Sequence, residues 1–288
     1  MWLLAAFASA FFAGITAILA KIGMKQIDSD VATALRTIII VIFSWGIVYV
    51  QGNYYLVKMV DINSLIYLIT SGIATGLSWI CYFKALSLGN VNKVAAIDKL
   101  SIVLTTFLAI VLFGEFKFLL IKLIAIFILT IGLILLVEFK KETKATIGYS
   151  WIVYAVLSAI FASLTAILGK LGVNNIDSNI GTAIRVCVIF VISWGFVFYL
   201  KKISLIAKIK RTHLCFILLS AITTALSWLC YYYALQKGVV SIVACIDKFS
   251  ILITVICSYR LFGEHLNKKN LLGLLCIISG ILLITIWR

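Results

Sequence analysis

Charged side chains inside long apolar stretches are the residues of this chain best suited to binding chemistry. Arg36, Asp98 and Lys99 interrupt such stretches, and Lys21 stands at the end of another. A charge below the lipid headgroups is costly unless it faces a wet cavity or a partner. Guanidinium and ammonium groups bind carboxylates and phosphates. We therefore interpret these four residues as a candidate anion-binding cluster of three positive groups and one negative group.

The same pattern recurs further along the chain. Shifting the sequence by 149 residues aligns it with itself without a gap from Phe12 to Glu115. ITAILAK then matches LTAILGK, LSWICY matches LSWLCY, and AAIDKLS matches ACIDKFS. Because polar residues match as well as apolar ones, this is an internal duplication. It predicts a second cluster made of Lys170, Arg185, Asp247 and Lys248.

Hydroxyl and aromatic side chains near these clusters are candidate lining of a polar cavity. Residues three or four positions apart share a helix face. The aromatic residues could equally lie against lipid headgroups, and the hydroxyls could hold helices together. The candidates are Ser78, Trp79, Tyr82 and Ser101 in the first copy, and Ser227, Trp228, Tyr231 and Ser250 in the second.

Structural roles are also open for the charged residues. Lys21 and Lys170 could extend along apolar surface towards the headgroups, because a lysine near a helix end can do so. Asp98 and Asp247 could cap helices. Alternatively, Arg36 with Asp98 and Arg185 with Asp247 could form paired gates, and either aspartate could carry a coupling proton. These roles remain alternatives at this level.

The elements that must position these residues are membrane helices. The chain is 64% hydrophobic and 12% charged, with a mean hydropathy of +1.19, so the lipid bilayer is its main solvent. Helices satisfy their own backbone groups in hydrocarbon. Because there is no proline, any helix break would have to come from Gly or Ser, including Gly72, Gly76 and Gly114. The predicted spans are 2 to 24, 31 to 51, 64 to 86, 94 to 113, 119 to 138, 150 to 172, 180 to 200, 213 to 235, 242 to 262 and 269 to 287.

The two copies are expected to insert in opposite orientations. Each copy (residues 1–138 and 150–288) has five spans, and the polar linker 139–149 is too short to cross the membrane. Inverted repeats related by an axis in the membrane plane are typical of secondary transporters, with the substrate near the midplane. The pattern thus predicts an all-α membrane protein of ten helices in two inverted five-helix repeats. We expect it to move a small polar solute by alternating access.

Several other functions are disfavoured. Lys and Arg lie between apolar blocks rather than in one patch, so no nucleic-acid partner is expected. The seven cysteines show no CxxC spacing and only two histidines accompany them, so neither a metal nor a cofactor is expected. No GxxxxGK[ST], HExxH or GxSxG motif occurs, which argues against an ATPase or an enzyme.

Positive charge is unequally divided between the two sides of the predicted helices. About 14 Lys and Arg residues lie on the side that includes the linker and the loop after the seventh span, and about 6 on the other. Cytoplasmic loops carry the excess of Lys and Arg. The count therefore predicts that both chain termini face outward in the plasma membrane.

The end of each copy resembles the EamA domain of the drug/metabolite transporter superfamily. LFGE occurs at Gly114 and Glu115 and again at Gly263 and Glu264, and IDKLS and LSWxCY add to the similarity. The resemblance implies ten helices and a cavity lined by helices 1 to 4 and 6 to 9. It also implies cytoplasmic termini, in conflict with the charge count.

The resemblance leaves the substrate open, since substrates across the superfamily are diverse. Small-cation exporters of the superfamily use a glutamate in their first helix, whereas helices 1 and 6 here contain neither Glu nor Asp. We therefore expect an anionic or zwitterionic, amino-acid-like substrate. A cation or multidrug exporter is the alternative, and an intramembrane enzyme or lipid-handling scaffold is a more remote one.

Overall fold

The computed structural model describes residues 1–23, 27–88, 94, 97, 100–136, 150–262 and 267–287. This part of the chain is helical, with no strand among the described residues. Two segments of this part form 3-10 helices, Asn53–Met59 and Ile203–Lys208. The α-helices are α1 Trp2–Gly23, α2 Ser29–Val50, α3 Ile62–Leu88, α4 Ser101–Phe113, α5 Leu119–Leu136, α6 Ser150–Gly172, α7 Ser178–Tyr199, α8 Arg211–Lys237, α9 Val240–Asp247, α10 Phe249–Phe262 and α11 Lys268–Ile286.

Helix length and composition confirm the predicted membrane fold. Within the described ranges, nine helical segments are long and apolar enough to cross a bilayer, and α4 is a shorter apolar helix. One of the nine, Val240–Cys257, runs through α9 into α10. Each observed helix lies within a few residues of a predicted span, apart from the fourth span. There the described helix begins at Ser101, after a stretch that is largely outside the described residues.

The ninth predicted span contains one interruption, at Lys248, whose backbone keeps helical torsion angles. α9 ends at Asp247, and Lys248 separates it from α10. Neither Gly72 nor Gly76 breaks a helix, because both residues lie inside α3. At Gly72 an added Cβ would lie 2.8 Å from the Val188 Cβ of α7, so this glycine permits close helix packing. Gly114 does end α4, with a left-handed φ of 65°.

The described helices form two compact units, and each unit combines segments of both repeats. The first unit contains Met1–Ile73, Leu168–Gly238 and Ser250–Gly263. The second contains Ala74–Ile167, Val239–Phe249 and Glu264–Arg288. Helices α3 and α6 therefore contribute one part to each unit.

In the first unit, α1 packs against α8 and α2 packs against α7. Val31 at the start of α2 lies in one apolar cluster with Val197 near the end of α7. Val48 near the end of α2 lies in another cluster with Ile180 at the start of α7. The two helices are therefore antiparallel. The 149-residue shift exchanges the two clusters, as expected for an internal pseudo-twofold axis.

In the second unit, α5 packs closely against α11. A Cβ on Gly132 would lie 2.7 Å from the carbonyl oxygen of Gly273, and a Cβ on Gly280 would lie 2.7 Å from the Leu129 Cγ. Small residues let apolar helices approach until their backbones touch. This pair is stabilised by close packing along its length.

Candidate functional site

Arg36 lies about two turns inside α2, in the first unit. Its Nη2 donates a hydrogen bond of 2.6 Å to the Thr224 hydroxyl of α8. Its Nε is buried and, among the residues that the structure describes, has no hydrogen-bond partner. Because a guanidinium keeps its charge in proteins, this group is a cation with a donor still available.

Hydroxyl groups from α1 and α8 surround Arg36. The Thr224 hydroxyl donates to the Ser220 carbonyl at 2.7 Å, so its oxygen is left to accept from Arg36. The Thr16 and Thr223 hydroxyls are 2.7 Å apart, and Thr16 lies 3.5 Å from Thr224. This arrangement joins one cation to three hydroxyls. An anionic group could be held there by charge-assisted hydrogen bonds.

Arg185, the repeat counterpart of Arg36, is held differently. It is 2% exposed, and its Nε donates to the Ser71 hydroxyl at 2.9 Å. The central carbon of its guanidinium lies 4.6 Å from the Tyr232 ring centroid and 5.7 Å from the Trp228 ring centroid. Aromatic faces attract cations at such distances. Arg185 is thus enclosed in this state, whereas Arg36 is half-buried.

The other predicted cluster members have separate positions. Lys170 donates to carbonyls at the end of α8, those of Leu235, Gln236 (2.9 Å) and Gly238 (3.3 Å), where a cation stabilises a helix C-terminus. Lys21 is exposed in the last turn of α1. In the second unit, Asp247 and Lys248 form an ion pair of 3.0 Å at the break before α10. Asp98 and Lys99 lie outside the described residues.

Two of the predicted lining serines hold helices together. Ser227 of α8 donates to the Ser9 carbonyl at 3.0 Å in the first unit, and Ser78 of α3 donates to the Ser158 carbonyl at 3.0 Å in the second. Both serines are buried. The 149-residue shift converts one pair into the other. Both serines therefore hold two helices together instead of lining a cavity. A buried hydroxyl in an apolar helix can donate its hydrogen bond to a backbone carbonyl of the facing helix.

The remaining candidates have mixed surroundings. Trp228 packs beside Arg185, and Tyr231 makes an edge contact with Tyr232 at 5.5 Å between centroids. Tyr82 packs in an apolar cluster with Trp151. The other three candidates, Trp79, Ser101 and Ser250, are half-buried.

Sequence reasoning missed two groups of residues. Lys122 of α5 is 3% exposed and pairs with Glu115 in the second unit. Thr224 bonds to Arg36 and Thr16 lies 3.5 Å from Thr224, but both have ordinary helix-contact patterns in the sequence. Lys122 is recognisable in the sequence, since it is a lone charge in the first turn of an otherwise apolar helix. The threonines are not.

A polar cavity of about 670 Å³ lies in the first unit, where α2 ends and α7 begins. Side-chain amides dominate its wall, with one carboxylate and one ammonium group beside them. Amides both donate and accept hydrogen bonds. The cavity therefore suits hydrated polar solutes. Its polar lining includes Gln51, Asn53, Asp177, Asn179, Gln236 and Lys237.

Both repeats match one known protein family. The model of the EamA-like transporter family matches residues 1–138 and again residues 149–286. The chain belongs to the EamA-like transporter family. It is accordingly a multi-pass membrane protein of a transporter family.

Individual relatives agree with this assignment. A Sinorhizobium protein described as "Uncharacterized transporter in cobO 3'region" is 41% identical over 114 residues, which are 40% of this chain and 81% of that protein. That relative is therefore about half as long as this chain. A protein of known crystal structure superposes with a TM-score of 0.76 at 13% identity, covering 98% of this chain and 96% of the other. That likeness shows the fold.

Proposed function

We propose that this EamA-like transporter is a secondary carrier of a small polar metabolite bearing an anionic group, such as an amino-acid-like compound. The observation that carries the proposal is the Arg36 guanidinium inside α2. It bonds to a neutral hydroxyl, and its Nε has no partner among the described residues. A permanent cation within a membrane helix attracts anionic groups and repels cationic ones.

The hydroxyls near Arg36 support a carboxylate or phosphate as the bound group. An anionic oxygen could accept from the Arg36 Nε and Nη2, and from the Thr16 hydroxyl in place of its bond to Thr223. The Thr223 hydrogen is already donated to the Ser220 carbonyl. Such charge-assisted hydrogen bonds are about twice as strong as neutral ones. An ammonium group on the same substrate would need acceptors, which hydroxyl oxygens supply. A zwitterion therefore fits better than a bare cation.

Alternating access is the transport mode that the repeats favour. In an inverted repeat the two end states exchange the conformations of the two halves. Arg36 is half-buried beside hydroxyls, while Arg185 is enclosed by aromatic rings. We infer that the two arginines exchange these environments during transport. Either Asp98 or Asp247 could carry a coupling proton.

The test is ligand binding and transport by purified protein. Carboxylates and zwitterionic amino acids should raise its melting temperature, because a ligand of the folded state stabilises it. Arg36→Gln should weaken that binding by about 10- to 100-fold, since a hydrogen bond to a charged group contributes about 1.5–3 kcal/mol. Arg36→Lys should retain part of it. Arg260→Gln removes one exposed positive charge from α10 and is the matched control.

Vesicle assays separate this proposal from the alternative. Transport of an anionic or zwitterionic compound that Arg36→Gln abolishes and Arg260→Gln preserves supports the proposal. Robust transport of a permanent cation, without competition from carboxylates or phosphates, would instead make the protein a cation or multidrug exporter.

A further inference from the structure

The two ends of the antiparallel α2 and α7 pair have the same apolar packing. At each end, the 3-10 helix that follows one partner covers the start of the other. Leu205 lies against the cluster of Val31, and Leu56 lies against the cluster of Ile180. The 149-residue shift relates these contacts. The apolar contacts alone would therefore hold both ends equally.

The polar groups above those contacts differ between the ends. Lys202, just after α7, forms ion pairs with Asp28 at 2.8 Å and with Asp30 at 2.5 Å. Asp28 also caps α2 through the backbone N–H of Asp30, at 3.0 Å. These three charged side chains, called here the Lys202 triad, tie the end of α7 to the start of α2.

At the opposite end the counterparts of the triad are mostly neutral. The shift replaces Lys202 by Asn53 and Asp30 by Asn179, and it keeps the capping aspartate as Asp177. Asn179 donates to the Gln51 side chain at 2.8 Å, a single neutral hydrogen bond. Gln51, Asn53, Asp177 and Asn179 all line the 670 Å³ polar cavity. This end is thus open to a cavity, and it lacks an ammonium at the position of Lys202.

We propose that the Lys202 triad is a latch that makes the carrier asymmetric, favouring the state closed at this end of α2 and α7 and open at the Asn53 end. The inference rests on the alternating access of the proposed function. In an exactly symmetric carrier the two states would be equally populated. Opening the latched end separates an ammonium from two carboxylates, whereas opening the other end separates neutral amides. Charged hydrogen bonds are the stronger ones, so the states differ in population.

The symmetry supplies two opposite substitutions. Lys202→Asn converts the latched end into the neutral type, and the double change Asn53→Lys with Asn179→Asp installs a triad at the cavity end. The first should favour opening at the Lys202 end and the second should hold the cavity end closed. A partly exposed ion pair of this type should shift the population ratio by about three- to tenfold.

Two symmetry-matched reporters measure the opening of each end. Val31→Cys places a thiol under the Lys202 end, at a position that is 0% exposed in the native protein. Ile180→Cys places one under the cavity end, at a position that is 1% exposed. Maleimide modification of each thiol, read by mass spectrometry in nanodiscs, gives its opening rate while the native cysteines stay in place. The assay needs no substrate, so an error in the substrate class would leave its result unaffected.

The expected result is opposite changes at the two reporters. Lys202→Asn should raise labelling at Val31→Cys and lower it at Ile180→Cys, so that the ratio of the two labelling rates rises by about three- to tenfold. The installed triad should lower labelling at Ile180→Cys even if Lys202→Asn folds poorly. Lys202→Arg should behave as the native protein, and Lys201→Asn is the control for loss of a neighbouring charge. Equal labelling in all variants, or a rise at both reporters, would overturn the latch.

Discussion

The pairing of Glu115 with Lys122 allows a quantitative prediction about the second unit. The two side chains are 9% and 4% exposed, with 3.4 Å between the Lys122 Nζ and the Glu115 Oε2. The carboxylate also accepts from the backbone N–H of Val240 at 2.7 Å and of Ser241 at 3.2 Å, and from the Ser241 hydroxyl. Glu115 therefore caps α9 and neutralises a buried lysine at the same time.

Glu115→Gln should lower the free energy of unfolding substantially. Removing one member of a buried ion pair leaves an uncompensated charge and costs about 3–5 kcal/mol. Lys122 would keep one bond, to the Glu115 carbonyl at 2.9 Å, so we expect the lower part of that range. Lys122→Met should cost only about 1–2 kcal/mol, because the carboxylate keeps its donors from α9.

The double variant separates this explanation from a simple loss of contacts. The double variant Glu115→Gln with Lys122→Met leaves no buried charge without a partner. Its free energy of unfolding should therefore be about 2 kcal/mol higher than the sum of the two single-variant losses predicts. Unfolding in mixed micelles by SDS titration, followed by circular dichroism, measures each value. Lys117→Met, at an exposed neighbouring lysine, is the control. Single costs that add to within about 0.5 kcal/mol would refute the reasoning.

Three further predictions concern topology, pH and gating. The loop Lys201–Arg211 should be cytoplasmic and both termini external, so an impermeant thiol reagent should modify a cysteine at the C-terminus of intact cells but not one in this loop. Partial burial raises the pKa of Asp28, but hydrogen bonds from Lys202 and the backbone outweigh it and leave the pKa below 3.8. Burial likewise lowers the pKa of Lys202, but its carboxylate partners outweigh it and raise the pKa above 10.5. The free energy of this pair should therefore be present at neutral pH. It should be lost below about pH 4, where Asp28 is protonated, and in strong alkali, where Lys202 loses its proton. Asp98→Asn and Asp247→Asn should shift the accessibility of a cavity cysteine in opposite directions, and identical shifts would contradict paired gating.

The helices could be predicted closely because membrane insertion depends on local properties. Spans of about 20 apolar residues match the bilayer, and α6 has the predicted bounds of 150 to 172. The interruption at Lys248 was not predicted from hydropathy, which stays high on either side of the charged pair Asp247 and Lys248. In the second unit, the backbone N–H of Val240 at the start of α9 donates to Glu115, which lies 125 residues earlier in the chain.

The candidate site was predictable only in part. Arg36 and Arg185 are recognisable because a charge inside an apolar span needs a special environment. Their partners are not, since Thr224 lies 188 residues from Arg36 and Ser71 lies 114 residues from Arg185. Ser78 and Ser227 show the reverse error, because a hydroxyl that bonds to a facing helix has the same sequence pattern as one that lines a cavity.

The sequence alone determined the class of protein, the number of spans and the repeat, because hydrophobic length and self-similarity are properties of the chain itself. Tertiary structure decided which side chains meet, since this depends on how each helix is rotated and shifted against its neighbours. The shift of 149 residues predicts that Asp28 and Asp177 are equivalent. Only packing shows Lys202 bonded to Asp28 while Asp177 lines a cavity, because that difference depends on contacts 174 residues apart in the chain.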